Sequence, residues 1–195
     1  MVSARLKRLK GSPLIWTATA LLGGVLLHAD RAPLWALGAA FICLAWRLAA
    51  EMRLIGLPGR IARTGVAFML IAAVFTRFQT LNGLNAGTAL LVVMASIKLL
   101  ETFTRRDRYV VIGASFFLLL AACLDRQSLL RAPLYLLQTW VCCMALAAVG
   151  PETGRGLSNK GAAVLAARTL GLALPLAAVL FLFFPRMAGA FWTLP

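Results

Sequence analysis

The sequence predicts an all-α, polytopic transmembrane helix bundle of about seven spans, with the N-terminus inside and the C-terminus outside. Of its 195 residues, 62% are hydrophobic and 13% are charged, whereas a soluble domain is nearer half apolar and a quarter charged. One soluble core cannot bury that much apolar surface, so the predicted solvent is lipid. Apolar runs recur along the chain, and basic residues alternate between the gaps that separate them. The length fits a single transmembrane domain over residues 1–195.

The predicted spans follow the apolar runs in chain order. They cover approximately residues 13–28, 33–50, 61–77, 86–102, 109–125, 132–149 and 162–184. Several are shorter than the ~20 residues of an untilted span, which snorkelling Trp and Arg side chains or local bilayer thinning would accommodate. The first run follows a basic start and therefore also resembles a signal peptide. An uncleaved helix is favoured, because cleavage after Ala29 would place Leu27 where a small residue is required.

Local residues mark several helix ends. Pro13, Pro33 and Pro133 begin spans, where a missing N–H costs little. Asp107 precedes the fifth span and is predicted to cap its first turn. Pro175 falls inside the last span and is predicted to kink it.

The placement of basic residues predicts the orientation. With the N-terminus inside, the inner segments hold fourteen basic residues and the outer segments hold five. The inner set is Arg5, Lys7, Arg8, Lys10, Arg47, Arg53, Arg60, Arg63, Arg105, Arg106, Arg108, Arg155, Lys160 and Arg168; the outer set is Arg31, Arg77, Arg126, Arg131 and Arg186. This asymmetry is what the positive-inside rule requires.

The net charge of +14 does not indicate a nucleic-acid partner. The basic residues sit in clusters between apolar runs, and no aromatic residues interleave with them as a base-stacking platform would need. The predicted partners are the lipid bilayer and its anionic headgroups. The four cysteines, Cys43, Cys123, Cys142 and Cys143, lack metal-ligand spacing and are interpreted as small packing residues. No cofactor or metal site is predicted.

Ionisable and polar residues near the spans suggest two alternatives to a structural role. Lys98 and Glu101 stand three residues apart, so they share a helix face and are predicted to form an anchoring ion pair. A transporter or channel subunit would instead use polar side chains inside the spans, and the available ones are Thr88, Ser96, Ser115 and Gln138.

The second alternative is an intramembrane enzyme at the outer ends of the spans. His28, Asp30, Cys123, Asp125 and Arg126 all fall there in the predicted topology. A Cys, a His and acids can support nucleophilic catalysis only within hydrogen-bond reach of one another. Interfacial polar residues that terminate helices are the favoured interpretation, and no known catalytic sequence motif accompanies them.

Two stretches carry a family resemblance. One is Lys98-Leu-Leu-Glu-Thr-Phe-Thr-Arg-Arg-Asp107, and the other is the ending from Phe183-Phe-Pro-Arg186 to Trp192-Thr-Leu-Pro195. Together with Leu57-Pro-Gly-Arg60, they resemble the N-terminal membrane region of the bacterial TgpA-type transglutaminase-like proteins. The residues taken as structural or interfacial candidates are Lys98, Glu101, Arg105, Arg106, Asp107, Pro185, Arg186 and Trp192.

The resemblance implies a membrane-anchor and scaffold module in the bacterial inner membrane. In that family, a periplasmic transglutaminase-like domain follows the membrane region and holds the catalytic Cys, His and Asp. No catalytic residue of that domain can be placed on this sequence, so this chain alone is not expected to be an enzyme. Residues 185–195 are expected to form an outer stem leading to a missing periplasmic domain, with that domain or a separate partner as a possible contact.

Overall fold

A computed structural model of the protein describes residues 13–79, 83–126, 128–150 and 158–183. Within these residues the chain forms seven α-helices and no strand, which confirms the all-α prediction. The helices are α1 (Pro13–Leu26), α2 (Leu34–Glu51), α3 (Arg60–Phe78), α4 (Leu84–Leu100), α5 (Arg105–Asp125), α6 (Ala132–Val149) and α7 (Asn159–Phe183). A short 3-10 turn, Leu129–Arg131, precedes α6.

Five of these helices are long and apolar enough to cross a membrane: α2, α3, α5, α6 and α7. The other two, α1 and α4, are apolar but have only 14 and 17 residues. At 1.5 Å per residue, they extend over about 21 Å and about 26 Å, less than the ~30 Å of a hydrocarbon core. Length and composition therefore support five of the seven predicted spans.

The two short helices occupy the centre of the bundle. Helix α1 packs against α2, α4, α5 and α6, and α4 packs against α2, α3 and α5. The largest buried cluster joins α1, α2, α4 and α5, with Leu14, Leu21, Val92, Leu99 and Leu118 among its members. Because neighbouring helices surround α1 and α4, much of their surface meets protein and not solvent.

Helices α3 and α7 lie at the periphery. Helix α3 packs on α4. Helix α7 packs on α6, where Ala162 and Ala166 meet Met144. The second half of α7 is exposed and apolar, ending with Phe183 at 82% exposure. Such faces suit lipid contact, since a soluble monomer rarely exposes apolar patches this long. Pro175 lies inside α7.

Glycine allows α6 to approach α1 closely. The Gln138 amide of α6 donates a hydrogen bond from Nε2 to the Ala20 carbonyl of α1, with a length of 2.7 Å. The same amide fills the space beside Gly23, so a Cβ added at Gly23 would overlap it. At the next residue, a Cβ on Gly24 would lie 3.3 Å from the Leu118 Cβ of α5. The α1 backbone is therefore in direct contact with both neighbours.

The start of α5 differs from the prediction. Its N-cap is Thr104 and not Asp107, which lies at the third helical position. The two residues form a reciprocal capping box: the Asp107 amide donates to Thr104 Oγ1 at 3.2 Å, and the Thr104 amide donates to Asp107 Oδ2 at 3.0 Å. Asp107 thus contributes to the cap, but one helical turn further in than the sequence pattern indicated.

Candidate functional site

Charged side chains gather at both ends of the bundle. At one end, α2 and α4 finish, and α3 and α5 begin. We call the group found there the arginine hub, and it consists of Arg47, Arg63, Lys98, Glu101, Thr102 and Asp107. At the other end α1 and α5 finish, and α2 and α6 begin. We call the second group the Asp30 network, formed by Asp30, Arg31, Asp125, Arg126 and Arg131.

Arg47 is the buried centre of the arginine hub, with 7% of its surface exposed. Its Nε donates to Thr102 Oγ1 at 3.3 Å and its Nη2 donates to the Thr102 carbonyl at 3.0 Å. Its Nη1 donates to Glu51 Oε2 at 3.1 Å. A buried guanidinium needs such acceptors, because desolvating an unpaired charge is very costly. These bonds tie the end of α2 to the α4–α5 turn.

The predicted ion pair between Lys98 and Glu101 is wrong. Lys98 Nζ instead lies 2.8 Å from Asp107 Oδ1, and Glu101 Oε1 lies 3.8 Å from Arg63 Nε. The reason is that α4 ends at Leu100, so Glu101 has left the helix and no longer shares a helical face with Lys98. The two residues therefore make separate connections, to the start of α5 and to α3.

Two further contacts extend the arginine hub. The Arg63 guanidinium lies over the Phe103 ring, 5.5 Å from its centroid, which is a cation–π geometry. Arg105 Nη1 approaches the Gly150 carbonyl at 3.4 Å and so connects the start of α5 with the end of α6. Arg106 is exposed. The remaining sequence candidates, Pro185, Arg186 and Trp192, lie outside the described residues.

The Asp30 network joins the α1–α2 loop to the end of α5. Asp30 Oδ2 accepts hydrogen bonds from Arg126 Nη1 at 2.6 Å and from Arg131 Nη2 at 3.2 Å. Asp125 pairs with Arg31 and lies 3.6 Å from Arg126 Nε. The sequence placed these residues at one end of the bundle but did not indicate that they pair, because the pairs join residues about a hundred positions apart.

The contacts of His28, Asp30 and Asp125 do not support the intramembrane enzyme alternative. The only histidine, His28, is buried, and its Nε2 donates to the Leu118 carbonyl at 2.9 Å. No hydrogen bond links His28 to Cys123 in the described part of the chain, and both aspartates are paired with arginines. Within the same residues, no three His, Cys, Asp or Glu side chains gather as metal ligands would. The cluster therefore lacks the nucleophile–base contact that the alternative requires.

Three of the four polar side chains of the transporter alternative bond to the backbone of their own helix, and the fourth bonds to a neighbouring helix. Ser96 and Ser115 are buried, and their hydroxyls donate to the Val92 and Val111 carbonyls of their own helices. Thr88 bonds to the Asn85 carbonyl in the same way. Gln138 bonds across to α1. No observation among the described residues favours a polar pathway.

The Asp30 network predicts a pH dependence of stability. Hydrogen bonds from Arg131 and then Arg126 lower the pKa of Asp30 below its usual value of 3.8. A carboxylate with a depressed folded-state pKa stabilises the fold above its unfolded-state pKa, and this contribution is lost as the pH falls through the folded-state value. We expect the thermal midpoint of the wild type to drop below about pH 4 more steeply than that of Asp30→Asn. Parallel acid curves for the two proteins would contradict a role for this carboxylate.

The chain is similar to known proteins over almost its whole length. The TgpA N-terminal domain family matches residues 16–195. The chain is also 33% identical, over 183 residues, to a protein-glutamine gamma-glutamyltransferase of Pseudomonas aeruginosa. That alignment covers 93% of this chain and 27% of the relative, so the chain spans about a quarter of the length of the curated relative it matches. No solved structure matches the chain. The Lys98–Asp107 stretch that carried the sequence resemblance forms the α4–α5 turn of the arginine hub. Because the family match covers nearly its whole length, the chain belongs to the TgpA N-terminal domain family.

Proposed function

We propose that this chain is a membrane-anchor and scaffold module of a transglutaminase-like protein in the bacterial inner membrane. The observation that carries the proposal is the match of the family's N-terminal domain to residues 16–195, on a bundle with five helices long and apolar enough to span a bilayer. The aligned relative is named a glutamyltransferase, and nearly three quarters of its length lies outside the alignment. We place the transferase chemistry in a region corresponding to that remainder.

The separation of the two charged groups supports a membrane-spanning arrangement. Asp107 of the arginine hub and Asp125 of the Asp30 network lie at opposite ends of α5. At 1.5 Å per residue, they are about 27 Å apart along the helix, close to the ~30 Å of a hydrocarbon core. The segment between them, Arg108 aside, is uncharged. One charged group would then sit at each membrane interface.

The contacts between helix ends support seven alternating spans. Arg105 brings the start of α5 to the end of α6, and Trp16 near the start of α1 donates to Asn159 at the start of α7. Arg63 brings the start of α3 to the end of α4. With the arginine hub inside, the more basic segments face the cytoplasm, as the positive-inside rule favours. The seventh helix would then end outside, where an attached domain would lie.

A scaffold needs fixed helix ends, and both charged groups supply them. The arginine hub connects α2, α3, α4 and α5, while the Asp30 network connects the α1–α2 loop to α5 and α6. Van der Waals contact at Ala and Gly positions holds the helices between these ends. Such a bundle would hold an outer domain at a constant distance from the membrane surface.

Reporter fusions test the proposed topology. Alkaline phosphatase fused after Pro195 should be active, and the same enzyme fused after Gly56, in the α2–α3 loop, should be inactive. Fluorescent-protein fusions at the two positions serve as matched controls and should show the reverse pattern, since each reporter works on one side only. An inactive phosphatase after Pro195, together with a fluorescent partner fusion there, would overturn the orientation.

A further inference from the structure

A pocket lies beside the arginine hub, where α2 ends and the loop to α3 begins. Its volume is about 450 Å³, and it is lined by Arg47, by Arg53 and by the loop residues that follow, up to Leu57. Arg47 has further guanidinium N–H groups besides the three that bond to Thr102 and Glu51, since arginine carries five. One wall of the pocket is therefore a fixed, buried cation.

Arg53 supplies a second cation, and this one has no partner. Its backbone amide donates to the Ala50 carbonyl at 3.0 Å, but its guanidinium makes no hydrogen bond or ion pair with any residue that the structure describes. Its backbone has φ +56°, in the left-handed region that non-glycine residues rarely adopt. The backbone therefore turns away from the axis of α2 at Arg53, and the Arg53 side chain lines the pocket.

The loop after Arg53 adds hydrogen-bond donors. The backbone amides of Ile55, Gly56 and Leu57 donate no hydrogen bond to any described residue, so they are available as donors. The Gly56 carbonyl is held at 3.0 Å by the Trp46 indole N–H, which fixes the loop against α2. Two arginines and a loop held against α2 therefore line one space.

The outer rim of the pocket is apolar. Leu54 is 59% exposed and Ile55 is 45% exposed, at the end of a helix that is long and apolar enough to cross a membrane. A soluble phosphate would gain nothing from these side chains. An amphiphile with an anionic head and an acyl tail would contact both the cations and the apolar rim, since basic pockets at the cytoplasmic ends of membrane helices suit anionic lipid headgroups.

We propose that this pocket binds the phosphate headgroup of an anionic phospholipid, with Arg53 and Arg47 as its cationic ligands and Leu54 and Ile55 against its acyl chains. The assignment to the inner leaflet rests on the proposed topology, whereas the binding itself does not. Arg47 lines the pocket and is also the centre of the arginine hub. The amount of anionic lipid in the membrane would therefore affect the contacts of the hub.

Lipid binding to the full chain in nanodiscs tests the pocket. The probe is phosphatidylglycerol as a minor component of phosphatidylcholine, read as lipid retained per protein by native mass spectrometry. We expect one retained phosphatidylglycerol molecule on the wild type. Arg53→Gln should weaken that retention by about tenfold, because it removes a charge-assisted contact. Arg106→Gln is the matched control, an exposed arginine of the same bundle end, and should retain the lipid.

The outcomes separate this proposal from the others. Equal retention by wild type and Arg53→Gln would overturn it, as would displacement of the lipid by millimolar inorganic phosphate, which would show a free-anion site. Retention that depends on Arg53 would support the pocket even if the reporter fusions reversed the topology, in which case the lipid belongs to the other leaflet. Thermal midpoints of both variants close to that of the wild type in phosphatidylcholine alone would show that lost retention is not lost folding.

Discussion

Replacing Arg47 with alanine is expected to lower the free energy of unfolding of the bundle by about 3 kcal/mol. The buried guanidinium is the donor for the Thr102 carbonyl at 3.0 Å and for Glu51 at 3.1 Å. Alanine would leave the Thr102 carbonyl without this donor in a buried position, and it would also remove the long side chain that fills the space between α2 and the α4–α5 turn. The measurement is the unfolding transition of purified protein in detergent, followed by helical circular dichroism.

Two comparisons separate the role of Arg47 from a general effect of lost charge. Arg106→Ala removes a cation from the same bundle end, but from an exposed position, and should change stability by less than about 0.5 kcal/mol. Arg47→Lys keeps the charge and loses the planar fork that reaches Thr102 twice, so it should recover only part of the stability. Equal transitions for Arg47→Ala and Arg106→Ala would show that the hub does not stabilise the fold.

The helices were predictable from the sequence because the proposed lipid environment imposes a simple rule on them. An apolar run long enough to approach the membrane thickness has to be helical, and its backbone groups bond within the run. All seven predicted spans overlap helices of the described residues, to within a few residues at most ends. The helix ends were harder, since Thr104 and Asp107 exchange hydrogen bonds that only the local turn geometry brings together.

The charged groups were less predictable, because pairing depends on how the helices are arranged. The spacing of Lys98 and Glu101 predicted a pair on one helix, but the helix stops between them. Asp30 and Arg126 are 96 residues apart, and no periodicity reports such a contact. Arg47 interrupts an otherwise apolar run, and this interruption is a signal in the sequence that could have indicated a buried contact of its charge, since cations within spans usually have a partner.

Replacing Gly23 with alanine is expected to destabilise the bundle by about 1 kcal/mol, although alanine is the better helix former. The new Cβ would overlap the Gln138 amide, which is buried and bonded to the Ala20 carbonyl at 2.7 Å. The Gln138 amide can rotate away from the new Cβ only by breaking that buried hydrogen bond, which costs about 1–3 kcal/mol, and the better helix propensity of alanine offsets part of this cost. The same substitution at Gly38, where a Cβ meets nothing within 4 Å, should be neutral or slightly stabilising.

A double-mutant cycle identifies the cause of the expected loss. If the Gly23 Cβ acts through the Gln138 amide, shortening that side chain in Gln138→Ala removes the overlap. The Gly23→Ala and Gln138→Ala double variant should then be no less stable than Gln138→Ala alone, so the two single costs will not add. Additive costs would mean that Gly23 is required for backbone contact between α1 and α6 whatever side chain stands at position 138. Either result identifies the contact that holds α1 against α6. Helix α1 is the shortest of the described α-helices and packs against four others, so its contacts matter for the whole bundle.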